Sequence, residues 1–384
     1  MMKTKSFIII IILSVFFYNL NTVNAQFNNS VFISNSSDSL KANHLYLDIN
    51  NFNFVRNYEY FNAFQDGYTL FGSILEPQLK YIANDNLQIS VGAFLRKDFG
   101  DRGLNDAKPL FNVKYHKNNL KLIFGSLEGN VQHQYIEPLY DLERRITNPI
   151  EYGTQLKIDK PNYNLNAWIS WEKMIYKNST EQEQISGGLT SDFNIVKKDQ
   201  FKFSLPLQFM VKHKGGQIDI KPSQPLVTMV NAAIGLKLEL PISNNKTFSR
   251  VFTENYWVGY KDMSPQPVQI FEKGKGYWLN LGLDSKYGTI ITSYWNGNSF
   301  ISLKGTPIYQ SISSDIDFPN YAEPKRSLLL IRYAYQQALL PNLFLDVRIE
   351  PIFDLHSPNA KKMDFSNSFF LTYRETIKLT KDKK

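Results

Sequence analysis

The chain has 384 residues, a formal charge of +8 from 43 Lys and Arg against 35 Asp and Glu, and no Cys. Without a thiol, disulfide frameworks, zinc–thiolate sites, Cys nucleophiles and an acylated lipoprotein N-terminus are excluded. Aromatic residues reach 14%, too many for a disordered or coiled-coil chain, and beyond the N-terminus no apolar run approaches the roughly 18–20 residues of a membrane helix.

Residues 1–25 read as an export signal. Lys3 and Lys5 precede an apolar stretch from Phe7 to Tyr18, and Val23-Asn24-Ala25 offers a cleavage site before Gln26. An uncleaved anchor is the competing reading, but the stretch is short for a span. Cleavage removes two lysines and lowers the formal charge from +8 to +6. The balance stays mixed in sign, and without Arg-rich stripes or zinc-finger spacing it gives no reason to expect nucleic acid as a partner. Residues 26–43 are polar and read as a tether or short plug.

From residue 40 onward the dominant period is two. Leu87, Ile89, Val91, Ala93 and Leu95 share one face of a strand; Phe201, Phe203, Leu205, Leu207, Phe209 and Val211 share another. Sixteen such runs are expected, at 44–56, 69–82, 86–97, 109–116, 119–127, 150–158, 162–173, 184–196, 201–213, 227–240, 250–261, 276–284, 287–296, 327–338, 342–352 and 365–379. Many are longer than ordinary soluble strands and near the length of a tilted membrane strand. Connections after even runs are short, as at Lys117-Asn118 and Ser285-Lys286. Those after odd runs are long, as at 98–108, 128–149, 213–226, 262–275, 297–326 and 353–364. This asymmetry predicts an all-β fold: a single transmembrane antiparallel β-barrel of about 16 strands (14 or 18 as alternatives) over 44–379, with periplasmic termini and a polar tail at 380–384. A soluble sandwich or propeller would lack the long–short alternation.

Tyr68, Tyr81, Tyr115, Tyr152, Tyr163, Trp257, Tyr260, Tyr277, Trp295 and Tyr373 fall near expected strand ends, where interface girdles belong. In the last run Phe369, Leu371, Tyr373, Ile377 and Leu379 share a face that Glu375 interrupts, and Phe370 alone breaks the polarity of the other face.

The signal, alternation and loop asymmetry together look like the porin-like outer-membrane barrels of Gram-negative bacteria. The stretches GYTLFG (67–72), LRKDFG (95–100), LEGNVQHQYIEPLYDLER (127–144) and WISWEKMIYKNSTEQEQISGG (168–188) are similar to a set of uncharacterised exported barrels. The resemblance implies outer-membrane lipid as surroundings and the barrel-assembly machinery as a partner in biogenesis. It supplies no reaction and no catalytic residue.

The segment 127–149 concentrates Glu128, His133, Glu137, Asp141, Glu143, Arg144 and Arg145 among Tyr135 and Tyr140. These residues can pin a loop by ion pairing or contact a polar solute or ion. Ile136, Leu139, Leu142 and Ile146 recur at helical spacing, so a short helix packed on the wall is expected, with Arg144 and Arg145 meeting Glu137, Asp141 or facing carboxylates. The segment is expected to enter the barrel mouth, with 297–326 narrowing it further. Trp168 and Glu172 take lumen parity and Trp171 the other; with Glu181 and Glu183 nearby, they suit either packing or a sugar ring. Lys80, Arg96, Lys114, Lys202, Lys212, Arg348, Arg374 and Lys378 also take inward parity, which would favour anionic solutes.

The five histidines, His44, His116, His133, His213 and His356, lie in no hydrolase, metalloprotease or nucleotide motif. No enzyme activity, cofactor or metal is expected. The expected function is passive or weakly selective passage of small hydrophilic solutes. The alternative is a non-conducting barrel that binds surface glycan or serves an envelope complex, which an aromatic filling of the lumen would favour.

Overall fold

In a membrane, backbone N–H and C=O groups must be satisfied internally, and a chain that alternates with period two does this by closing a sheet on itself. The computed structural model describes residues 40–216, 225–243, 245–356 and 363–381. Among them, sixteen strands run in chain order: β1 (His44–Glu59), β2 (Thr69–Asn84), β3 (Leu87–Asp98), β4 (Asp106–Lys117), β5 (Leu120–Ser126), β6 (Tyr152–Lys160), β7 (Tyr163–Lys173), β8 (Gln184–Lys197), β9 (Lys202–Lys214), β10 (Val227–Pro241), β11 (Phe248–Asp262), β12 (Lys273–Ser285), β13 (Gly288–Asn298), β14 (Lys325–Leu340), β15 (Leu343–Asp354) and β16 (Asp364–Lys378). Each pairs antiparallel with its sequence neighbours, and β1 pairs with β16 from Tyr46↔Lys378 to Glu59↔Phe365. The barrel is closed and has no edge strand.

Both strand ends of the chain, His44 and Lys378, lie at the end that carries short turns such as Asp85-Asn86 and Pro341-Asn342. The longest loops, 127–151 and 299–324, lie at the other end. We call these the turn end and the loop end. The expected signal 1–25 and most of the tether 26–43 lie outside the described residues.

Parity assigns the two faces. Outward residues form an exposed apolar belt that includes Leu79, Val91, Phe124, Ile234, Leu281, Ile290 and Phe369. Tyr81, Tyr115 and Tyr373 border it at the turn end, and Trp257 and Tyr277 at the loop end. Tyr260 and Trp295 are corrections to the expected girdle: both point inward and are buried, because their parity places them with Tyr256, Val258 and Trp278 in the lumen. Tyr68 lies at the loop end and donates to Glu143 Oε2 at 2.6 Å.

The lumen holds two apolar clusters. One joins Phe52, Phe54, Ile74, Phe94, Leu110 and Phe370 from the walls of β1–β4 and β16 to Leu142 and Ile146 of the loop 127–151. Phe370 thus breaks the polar alternation of β16 because it packs on Phe52, with ring centroids 5.3 Å apart. The other joins Tyr256, Val258, Trp278, Trp295 and Leu328 to residues of both long loops.

Leu281 sits near mid-belt, between the Tyr277 and Tyr287 rings. Leu281→Arg is expected to cost about 2–4 kcal/mol of folding stability in lipid, whereas Leu340→Arg near the turn end should cost about 0–1 kcal/mol. Denaturant titration in vesicles, followed by heat-modifiable gel migration, checks the difference.

Candidate functional site

The loop 127–151 leaves the wall early because β5 ends at Ser126. Gly125 permits the departure with φ of +104°, and a Cβ there would lie 2.2 Å from Phe111 O. The loop then crosses the lumen, passing through a 3₁₀ turn (Asn130–His133) and a short helix α1 (Arg144–Thr147). Its backbone would be orphaned there without partners, and inward polar side chains of β6–β9 supply them. Gln155 accepts from Glu128 N at 2.9 Å and donates to Glu128 O at 3.0 Å. Asn166 donates to Gln132 O, and Thr190 Oγ1 donates to His133 O at 2.7 Å. Gln208 accepts from Ile136 N at 3.0 Å and donates to Gln134 O at 3.2 Å.

The loop 299–324 enters from the opposite wall. Asn231 on β10 donates to Ile301 O at 2.8 Å and accepts from Leu303 N at 2.9 Å. The two loops then bond to each other: Asp141 N donates to Lys304 O at 2.8 Å, and Thr306 N to Glu137 O at 3.1 Å. They meet so closely that a Cβ on Gly305 would stand 2.0 Å from Pro138 O.

Charges lock this two-loop plug. Lys304 Nζ lies 3.1 Å from Glu151 Oε1 and 2.8 Å from Glu172 Oε1, and also over the Trp168 ring at 4.9 Å. Glu151 meets His133 Nε2 at 2.7 Å and accepts from Tyr140 OH at 3.0 Å. His133 is fully buried and stacks on Trp168, with ring centroids 4.4 Å apart. Across the lumen Glu137 joins Arg332 at 2.5 Å and Arg348 at 3.1 Å, and Glu350 bridges the same two arginines. Nearer the turn end Glu128 takes Lys114 and Lys157 at 2.9 Å and Lys121 at 3.6 Å. Burial would raise these carboxyls. The facing cations outweigh it and hold Glu128, Glu137 and Glu151 below the usual glutamate range. Asp141 goes the other way, raised to about 6 by burial and by Glu143.

The sequence-derived candidates therefore converge on the plug, with one correction. Glu137 does not pair with Arg144 or Arg145; it reaches Arg332 and Arg348 on β14 and β15. Arg145 lies over the Phe52 ring at 3.9 Å and Arg144 over Tyr140 at 5.6 Å. Trp168 is buried beneath His133 and Lys304, while Trp171 faces out and donates to Glu183 Oε1, as the packing reading of this pair expects. Sequence reasoning missed Glu151, Lys304, Tyr309 and the amides Gln155, Asn166, Gln208 and Asn231. Polar amides at mid-strand inward positions were the available signal. A cavity of about 20 Å³ remains beside Arg56, Glu137, Asp141 and Arg332, space for roughly one water.

Residues 35–382 match the sequence model of the lipid A 3'-O-deacylase-type family, which covers the whole barrel. The chain belongs to that family. No curated protein gives a sequence match. Among solved structures the fold is similar to the outer membrane protein OprD from Pseudomonas aeruginosa, with TM-score 0.51, 10% identity, and coverage of 89% of this chain and 96% of that one. It is likewise similar to opdK from Pseudomonas aeruginosa, with TM-score 0.51, 8% identity, and coverage of 88% and 100%. The family member described here thus has a porin-like outer-membrane barrel fold.

Removing Lys304 leaves Glu151 with His133 and Glu172 with Lys212 but takes away the cation that joins the two loops, so Lys304→Met should loosen both loops at a cost of about 1–3 kcal/mol. Faster amide exchange across 130–147 with the strands still protected is the expected result; unchanged exchange would refute the lock. Because the three glutamates are held low, their contribution persists above the ordinary glutamate pKa of about 4.3 and fades below it. Asp141, raised to about 6, takes up a proton more readily in the seated loop, so loop protection should rise slightly from neutrality to about pH 5 and decline under stronger acid as the glutamates protonate.

Proposed function

We propose that this family member is an outer-membrane channel for small hydrophilic solutes whose lumen is closed at rest by the two-loop plug. The observation that carries this reading is that the plug is made of loops, held by side-chain hydrogen bonds and ion pairs and not by strand pairing. It can be displaced without opening the barrel. Below it, the turn-end lumen is lined by polar and charged groups such as Asp48, paired with Lys80 at 2.7 Å, together with Glu76, Lys114 and Arg374. The aromatic filling of the lumen counts against an always-open pore and keeps a non-conducting, glycan-binding barrel as the alternative for the lumen.

Planar-bilayer recording tests the reading. The intact chain should show rare, small openings, and deletion of 130–147 should raise conductance and weaken ion selectivity. An assembled deletion variant that conducts no better than the intact chain would remove the channel reading.

Family membership favours a second reading, hydrolysis of an acyl ester of the outer-leaflet glycolipid. On the outward face near the loop end, His213 Nδ1 stands 2.9 Å from Thr228 Oγ1, a base–hydroxyl pair of the kind acyl transfer uses. Mass spectrometry of lipid A incubated with the chain and with its His213→Ala variant separates the readings: ester loss that depends on His213 supports hydrolysis, and no ester loss in either sample excludes it.

A further inference from the structure

The outward face of β11–β14 carries a feature that neither lumen nor hydrolysis uses. Lys261 on β11 lies directly opposite Lys273 on β12. One outward step lower, Lys275 on β12 pairs with Asn298 on β13, which pairs with Lys325 on β14. All four lysines are exposed, and their parity, shared with Trp257, Tyr277 and Leu329, points them away from the lumen. Like charges directly opposite in an antiparallel pair are destabilising, so Lys261 facing Lys273 calls for a counter-ion. Among the described residues none of the four forms an ion pair. Glu272 is an exposed carboxylate next to the row, and Glu323 is turned to Arg326. Elsewhere on the outward loop-end rim, by contrast, Lys173 has its own carboxylate in Glu181, and Lys97 donates to the backbone of Asp101.

Depth decides what the counter-ion is. Trp257 pairs with Tyr277, and this outward aromatic pair tops the apolar belt of Ile234, Leu279 and Leu281. Each outward step of two residues covers about 7 Å along a strand, of which a tilt of about 40° leaves about 5 Å along the membrane normal, so on β12 Lys275 lies about 5 Å above Tyr277 and Lys273 about 10 Å above it. That is the headgroup layer at the loop end, where a lysine meets lipid phosphate. We infer that β11–β14 form a binding surface for a phosphate-bearing lipid headgroup of the leaflet at the loop end. Lys275 and Lys325 contact the phosphate nearest the belt, and Lys261 and Lys273 the outer part of the headgroup. Asn296 and Asn298, outward between them, are placed to donate to headgroup oxygens.

The surface is independent of the readings above, because none of its lysines touches the plug or His213. The test places the purified full-length barrel in phosphatidylcholine nanodiscs with and without phosphatidic acid and counts retained lipids by native mass spectrometry. The intact chain should retain phosphatidic acid. Combined Lys261→Gln, Lys273→Gln, Lys275→Gln and Lys325→Gln should lower that retention by about tenfold or more. The corresponding four Lys→Arg changes should restore it, and Lys97→Gln with Lys173→Gln should not alter it. Heat-modifiable migration confirms that each variant is folded, and single-channel conductance should be the same for the Gln variant and the intact chain. Equal retention by the Gln variant and the intact chain would overturn the inference. So would complete displacement of the lipid by excess inorganic phosphate, which would make this a site for free anions.

Discussion

A loop that folds into a barrel takes its backbone N–H and C=O groups away from bulk water, and every one left unpaired costs as much as a lost hydrogen bond. The interior of this barrel is organised around that demand. Gln155, Asn166, Thr190, Gln208 and Asn231 occupy inward positions on five consecutive strands, and each meets backbone atoms of an incoming loop. Amides and hydroxyls suit the task because they pair with a peptide without bringing a charge to be neutralised. The backbone bonds between the loops at Asp141–Lys304 and Thr306–Glu137 complete the accounting. The plug can be large only because the wall opposite it was built from peptide-like side chains.

Charges do a different job. A buried ion pair contributes little net stability against an apolar substitute, yet removing one member is expensive. Glu137 between Arg332 and Arg348, and Lys304 between Glu151 and Glu172, therefore fix where the loops sit more than how stable the barrel is. Each cluster joins a loop residue to residues far away in sequence. A loop displaced by one residue would leave several charges buried without partners, so the arrangement selects one seating from many compact ones. The apolar clusters around Phe94 and Trp295 supply the cohesion that this selection acts upon.

The barrel was legible in the sequence because its signal is local. Period-two alternation depends on neighbours in the chain, and the short–long asymmetry of connections depends only on counting. All sixteen expected runs overlap the sixteen strands, and the eight basic residues assigned inward parity, from Lys80 to Lys378, lie on the inward face. The inward course of 127–151 was also legible, since Ile136, Leu139, Leu142 and Ile146 needed an apolar surface and all are buried. What the sequence did not reveal was pairing at long range. Nothing local joins Glu137 to Arg332 or Glu151 to Lys304. The adjacent Arg144 and Arg145 were the obvious partners by proximity, but α1 turns them to the Tyr140 and Phe52 rings, where Arg145 also faces the carboxylates Glu76 and Asp346 of the wall. Tyr260 and Trp295 were misplaced for a related reason: an aromatic near a strand end suits a girdle or a filled lumen equally well, and one residue of parity decides.

Fold and family point in different directions here, and the physics of the two barrel faces shows why both can hold. A fold similar to OprD speaks for a closed, spanning sheet; it does not say what the inside or outside surface does. The lumen and the lipid face of a barrel share a backbone, but alternate residues own them, so each can change without disturbing the other. In this chain the inward residues are committed to seating two loops. The outward residues at the loop end, His213, Thr228 and the lysines of β11–β14, have no part in that seating. A lipid-directed role needs only the outward set, and a transport role needs only the inward set together with movement of the plug. The two are separable by substitution on opposite parities of the same strands: on β11, Glu254 and Tyr256 belong to the lumen, while Trp257 and Lys261 belong to the membrane.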